Sequence, residues 1–142
     1  MATFTIPVHT NDIAAQIAAL LNAHNKLRIR YNEAKLMQES GHYFVYMHGD
    51  KVVGCTAIRQ EGPDMTRQYH TCVHPDFRRQ GIAAKLKDFA LLNVPTEYVF
   101  VTIRSDNLPS IMLNLKYGFT LSKFDVYRDH YVYTLIRKAK LT

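Results

Sequence analysis

The chain has 142 residues, 47% of them hydrophobic, and 18 Lys and Arg against 12 Asp and Glu leave a formal charge of +6. These figures predict one domain over residues 1–142, able to bury roughly two-thirds of its unfolded surface, and exclude a disordered or collagen-like chain. Only two cysteines occur, Cys55 and Cys72, both in strand-like segments, which excludes a disulfide framework or a zinc knuckle. The apolar stretches around residues 13–21 and 90–92 are short and broken, so no membrane span is expected. Residues 1–10 lack the charged start and apolar centre of a secretory leader, and the expected location is the cytoplasm.

Residues 3–8 (TFTIPV) alternate and predict a first strand. Thr10 then caps a helix whose apolar face is Ile13, Ile17, Leu20, Leu21 and Leu27, and a second short helix covers residues 31–39, closed by Gly41. Strands follow at residues 43–48 and 51–59 around a Gly49-Asp50 hairpin turn, and at 66–73 after the turn at residues 61–64. His74-Pro75 stops the third of these. From Gly81 the period changes: Ile82, Leu86, Phe89, Ala90 and Leu92 predict a helix to about Asn93. The apolar run YVFVTI at residues 98–103 predicts a buried strand. Pro109 opens another helix, with Ile111, Met112 and Leu115 inward and Gly118 closing it. Residues 119–126 and 130–137 form a final antiparallel pair. The order predicts a mixed α/β domain with one sheet and helices on its faces.

The stretch that carries chemistry runs from Val73 to Leu86, where a strand ends, an arginine-rich loop follows and small residues open a helix. Unpaired N–H groups at a helix start, backed by the helix dipole, form an anion cradle. Gly81 allows close backbone approach, Ala83 and Ala84 keep the first turn free of bulk, and Arg78 and Arg79 add charge for a diphosphate. The same residues also suit a solvated basic helix start. Neither the G-x-x-x-x-G-K-[ST] nor the G-x-G-x-x-G nucleotide fingerprint is present.

The loop Arg78-Arg79-Gln80-Gly81-Ile82-Ala83 resembles the coenzyme A loop [Q/R]-x-x-G-x-[G/A] of the GNAT superfamily of acyl-CoA-dependent N-acyltransferases. Residues 107–119 (NLPSIMLNLKYGF) resemble that family's second element, in the right order and with matching elements between. The resemblance implies a mixed, mostly antiparallel sheet with helices on both faces and a splayed central strand pair. It implies acetyl-CoA as acyl donor, with the pyrophosphate on the backbone of Arg78, Arg79, Gln80, Gly81, Ile82 and Ala83. The strand carrying Thr71, Cys72 and Val73 would meet the pantetheine arm and the acyl carbonyl, with Asn107, Ser110 and Asn114 on the coenzyme's other side. The acceptor would be an amine.

Two departures stand out. Asn114 occupies the position of the family's frequent tyrosine acid, and Tyr117, one turn later, either takes that role or packs in the core. Thr102 stands where some members place a glutamate base, which leaves His70 as the local alternative or as a histidine without catalytic duty. Alternation puts His70 and Cys72 on one face and Thr71 and Val73 on the other, without saying which faces the cleft. At neutral pH an alkylamine of pKa near 10.4 costs about 4 kcal/mol to deprotonate and an α-amine only about 1 kcal/mol. A site poor in acid and base on a basic chain therefore suits an α-amine on an anionic carrier such as an aminoacylated tRNA. Two other classes remain open: a GNAT-like nucleic-acid modifier of the Mom type, and a non-catalytic CoA- or anion-binding module.

The seven histidines, among them His42, His48 and His130 beside Asp129, show no ligand spacing, so no metal is expected. Tyr127, Tyr131 and Tyr133 with Arg128 and Arg137 suit either a nucleic-acid stack or a strand face at a homodimer edge. Arg28 and Arg30 lie either at the acceptor's entrance or in a solvated turn.

Overall fold

A computed structural model describes residues 11–25, 27, 29–38 and 41–140. The strand expected at residues 3–8, the Thr10 cap, Arg28 and Glu39 lie outside them. Helix α1 (Asn11–His24) turns Ala14, Ile17, Leu20 and Leu21 into the core, and Leu27 packs against the same cluster after the helix has ended. Each large apolar side chain so buried contributes about 1.5–3 kcal/mol. Helix α2 (Glu33–Met37) is a single turn and a half started by Asn32, whose side chain accepts from the Lys35 N–H at 2.8 Å, and it buries Leu36.

Strands β1 (His42–His48) and β2 (Lys51–Gln60) form the expected hairpin, with Gly49 at φ +64° in the turn. Strand β3 (Met65–Val73) adds antiparallel to β2, and a short 3-10 turn at Pro75–Phe77 leads to helix α3 (Ile82–Leu92). Strand β4 (Tyr98–Arg104), helix α4 (Leu108–Lys116), and strands β5 (Thr120–Val126) and β6 (Tyr131–Lys138) complete the chain. The six strands form one sheet in the order β1-β2-β3-β4-β6-β5. Among the described residues every pairing is antiparallel except β3 with β4.

Helices α1 and α2 cover one face, where Tyr43, Val45, Cys55, Ala57 and Cys72 meet α1. Helix α3 covers the other face of β1 and β2, with Phe44 and Ile58 on Ala90 and Val53 on Ile82 and Leu86. A Cβ at Gly54 would stand 3.0 Å from Ile82 Cγ2, so this glycine lets the start of α3 settle onto β2. On the same side, Val99, Val101, Ile103 and Leu135 pack with Phe119 and Ile111.

Two expectations need correction. Of the α4 residues expected inward, only Ile111 packs into the core; Met112 is 64% and Leu115 49% exposed. Helix α4 instead turns Asn114 into the interior, because its inner edge faces α3 as well as the sheet. Strand β4 is not buried on both faces, since Thr102 is exposed where β3 has moved away. Strand β5 lies at the sheet edge and is exposed along its whole length.

Candidate active site

The start of α3 differs from those of α2 and α4. Asn32 and Asn107 cap those helices through their side chains, whereas α3 begins at Gly81, which has none to offer. Its first turn therefore presents unsatisfied backbone N–H groups to solvent. Gly81 holds φ +76° and Arg79 φ +63°, so the loop turns twice through the left-handed region just before α3. For arginine that conformation is unfavourable by about 1–2 kcal/mol, a strain typical of ligand-binding loops. Arg78, Arg79, Gln80 and Gly81 are all exposed; Ile82 is buried and anchors the turn, with Ala83 behind it. Arg78 Nε donates to the Val73 carbonyl at 3.3 Å, which ties the loop to the end of β3. The arrangement suits an anion held by backbone and guanidinium together.

Beside this loop the sheet is forked. Strands β3 and β4 pair only at Met65–Tyr98, Thr66–Val99 and Arg67–Phe100, and from Gln68 onward β3 has no strand partner on its β4 side among the described residues. Thr71, Cys72 and Val73 lie along that unpaired edge. A bulge helps to open it: His70 and Thr71 together stand opposite Thr56, and His70 takes φ +54°. The Thr71 hydroxyl lies 2.8 Å from that of Thr56. Val73 packs with Ile82 and Leu86 on the α3 face, while Cys72 points to α1 and donates its thiol to the Leu20 carbonyl. Burial pushes the Cys72 thiol up to about 11 and holds Cys55 well above its ordinary value, so neither is a thiolate at neutral pH.

His70 lies on the α1/α2 face with Cys72, within hydrogen-bonding distance of Tyr43 Oη (2.7 Å from Nδ1) and edge-on to the Tyr31 ring. Burial, and then the charges of Arg67 and Arg59, lower its pKa to about 4, so the imidazole is neutral at physiological pH.

On the opposite face, α4 meets α3 through polar groups. Lys87 is buried (3% exposed), and its ammonium donates to Gln68 Oε1 and Asn114 Oδ1 and lies 4.1 Å from the Phe119 ring centre. Gln68 in turn donates to Thr56, and Asn114 to the Ser110 carbonyl, giving a continuous chain from Thr71 on β3 to α4. Asn107 caps α4 by accepting from the Ser110 N–H at 3.3 Å. Tyr117 donates to Asp88 Oδ1 at 2.7 Å, with the Ala84 carbonyl at 3.1 Å. Burial and the Asp88 carboxylate push its pKa up to about 12. The phenol is thus engaged on α3, and Tyr117→Phe is expected to keep kcat within about threefold; a loss of a hundredfold would make it the acid.

Lys87, Gln68, Thr56, Tyr43 and Arg67 were not singled out from the sequence. The one available signal was Lys87's place at the flank of α3's apolar stripe, which reads equally well as solvated. Among the described residues no three His, Cys, Asp or Glu side chains gather as a metal site, and no helix is long and apolar enough to cross a membrane. Arg137 is engaged with the Tyr117 and Ala139 carbonyls, and Tyr131 stacks on Tyr133 within β6. An open hollow of about 330 Å³ lies at the C-terminal end of α3, lined by His42, Gln60, Asn93 and Pro95 among others, away from the N–H cradle.

Residues 11–139 match the family model described as an acetyltransferase (GNAT) domain. The chain belongs to the GNAT acetyltransferase family. This GNAT domain resembles the solved structure of Ard1 from Thermoplasma volcanium at 24% identity and TM-score 0.77, over 95% of this chain and 97% of that one. It resembles the ribosomal-protein-S18-alanine N-acetyltransferase of Escherichia coli at 17% identity and TM-score 0.77, over 100% and 96%. A GNAT family acetyltransferase from Elizabethkingia anophelis, solved with acetyl-CoA bound, matches at 16% identity and TM-score 0.71, over 95% and 97%. At these identities the likeness bears on the fold. No curated protein matches the sequence.

Proposed function

We propose that this GNAT domain transfers the acetyl group of acetyl-CoA to an amine by direct attack within a ternary complex. The observation that carries the reading is the uncapped start of α3 at the end of a strand that has parted from its neighbour. In this reading the backbone of Arg78, Arg79, Gln80, Gly81, Ile82 and Ala83 holds the pyrophosphate. Thr71, Cys72 and Val73 line the parted β3 edge beside pantetheine and the developing oxyanion, with the Thr71 and Val73 carbonyls already accepting from Asn25 Nδ2 and Arg78 Nε, and Asn107, Ser110 and Asn114 form the α4 wall. The protonated state of both thiols argues against a cysteine-bound acyl intermediate.

The amine enters from the α1/α2 face beside His70. An imidazole with a pKa of about 4 is a weak base that accepts a hydrogen bond from an amine already deprotonated. Deprotonation then falls to the acceptor, which favours an α-amine. Two results are expected. The kcat/KM profile rises with the acceptor's own pKa and shows no limb from His70 between pH 6 and 8, while His70→Gln lowers kcat about 10–100-fold. A limb near pH 6.5 that disappears in the variant would instead assign His70 as the titrating base.

The reading is tested by titrating acetyl-CoA and CoA into the protein by calorimetry and by following CoA release over a panel of amines. Binding on the order of micromolar is expected, with turnover of α-amines above alkylamines. Absence of binding by either nucleotide would end the reading. A nucleic-acid carrier would show a KM that rises steeply with salt.

A further inference from the structure

Arg67 stands where the sheet divides. It is the last β3 residue paired to β4, opposite Phe100, and its Nη2 reaches across the opening fork to donate to Thr102 Oγ1 at 3.0 Å. Directly opposite it on the β2 ladder is Arg59, and both guanidinium groups lie against the Tyr69 ring, 5.8 and 4.9 Å from its centre. Like charges at opposed positions of an antiparallel pair are destabilising unless a counter-charge is supplied. Arg59 has one in Glu61, which accepts from Nη2 at 2.8 Å and Nε at 3.2 Å. Arg104, farther along β4, has one in Asp106.

Among the described residues Arg67 has none. Its partners there are a neutral hydroxyl and an aromatic face, and its buried Nε–H meets no acceptor. The uncompensated charge is felt at His70, whose imidazole Arg67 and Arg59 help to keep neutral after burial has done most of it. A cation has thus been placed on the acceptor's side of the fork without the anion that such a group ordinarily has.

We infer that Arg67 is a carboxylate subsite for the acceptor: an amine bearing a carboxylate sets that group on the Arg67 guanidinium and presents its nitrogen to the fork beside His70. The inference rests on the acetyl-transfer reading above and names the substrate class for it. A planar guanidinium with unmatched donors suits a two-oxygen anion, and charge-assisted bonds of this kind are about twice as strong as neutral ones. The same charge repels diamines and polyamines.

The test uses acetylated products, which need no turnover. N-acetylalanine, N-acetyl-β-alanine and N-acetyl-4-aminobutyrate, each against its own amide, are titrated into the protein with and without saturating CoA. At least one acid is expected to bind about tenfold or more tightly than its amide, with the preference falling below about twofold in Arg67→Gln and partly kept in Arg67→Lys. With the parent amines, Arg67→Gln is expected to raise KM by a similar factor and move kcat little. No discrimination by the wild type in any pair, or discrimination that Arg67→Gln keeps, overturns the subsite. An acetyl-CoA titration on the same proteins separates the two readings. Loss of coenzyme binding by the wild type would count against acetyl transfer, whereas an unchanged coenzyme affinity and melting midpoint in Arg67→Gln show that the variant is folded.

Discussion

Gly81→Glu is expected to raise the dissociation constant for acetyl-CoA by at least about a hundredfold while leaving the domain folded. The glycine sits at φ +76° before the first turn of α3, and a Cβ there meets nothing within 4 Å, so the substitution clashes with no neighbour. Its backbone cost is that of a side chain in the left-handed region, about 1–2 kcal/mol. A carboxylate at a helix start recovers about 0.3–1 kcal/mol from the dipole, so the melting midpoint should fall by only a few degrees. The coenzyme fares differently. A fixed negative charge about 5 Å from a diphosphate is worth about 3 kcal/mol of repulsion per charge pair at an effective dielectric of 20. It would also occupy the N–H groups that the proposed coenzyme site offers to the diphosphate. Calorimetry on the wild type, Gly81→Ala and Gly81→Glu decides the matter: strain alone affects both variants, and charge only the second. An affinity for Gly81→Glu within threefold of wild type would remove the loop from the coenzyme site.

The second large effect concerns stability. Lys87 has neutral amides and an aromatic ring around its ammonium, and burial first, then Arg137, lowers its pKa from 10.5 to about 7. In the unfolded chain the amine holds its proton up to about pH 10.5. Between pH 7 and 10.5 the unfolded state therefore binds more protons than the folded one, and stability rises with pH. Each pH unit in that window is worth about 1.4 kcal/mol, so the wild type should gain about 3 kcal/mol over Lys87→Met between pH 7 and 9.5. Below pH 7 the difference should level off, because both states are then protonated. Removing the ammonium also leaves Gln68 Oε1 and Asn114 Oδ1 without their donor, at about 1–3 kcal/mol each, which offsets the relief of a buried charge. The two proteins should consequently lie close together at pH 7 and diverge above it. Urea unfolding at several pH values measures the difference directly; parallel curves would mean that Lys87 keeps its proton in the fold.

Lys87 also illustrates what a linear reading misses. On a helical wheel it borders the stripe of Ile82, Leu86 and Ala90, where lysines commonly reach solvent. It is buried because α4, entering from residues 108–116, brings Asn114 over it, and Gln68 of β3 meets it from below. Similarly, Met112 and Leu115 share the apolar character of Ile111, and nothing in their spacing says that α4 would turn Asn114 inward instead. The bulge that places His70 beside Tyr43 arises from the pairing of β3 with β2, which no property of residues 66–73 announces.

By itself the sequence determined the order of the described elements, the hairpin at Gly49-Asp50 and the glycine start of α3 after an arginine-rich loop, together with the family to which they point. These are local features: i to i+4 periodicity, a positive φ that glycine tolerates, and a helix start without a capping side chain act within a few residues of chain. Only the tertiary structure decided where β3 parts from β4, which face receives His70, that Lys87 is dehydrated, and that Arg67 faces Arg59 with no carboxylate of its own among the described residues. Those outcomes depend on strand register and helix packing between residues far apart in the chain, where desolvation and opposed charges exist only after the pairing has been made.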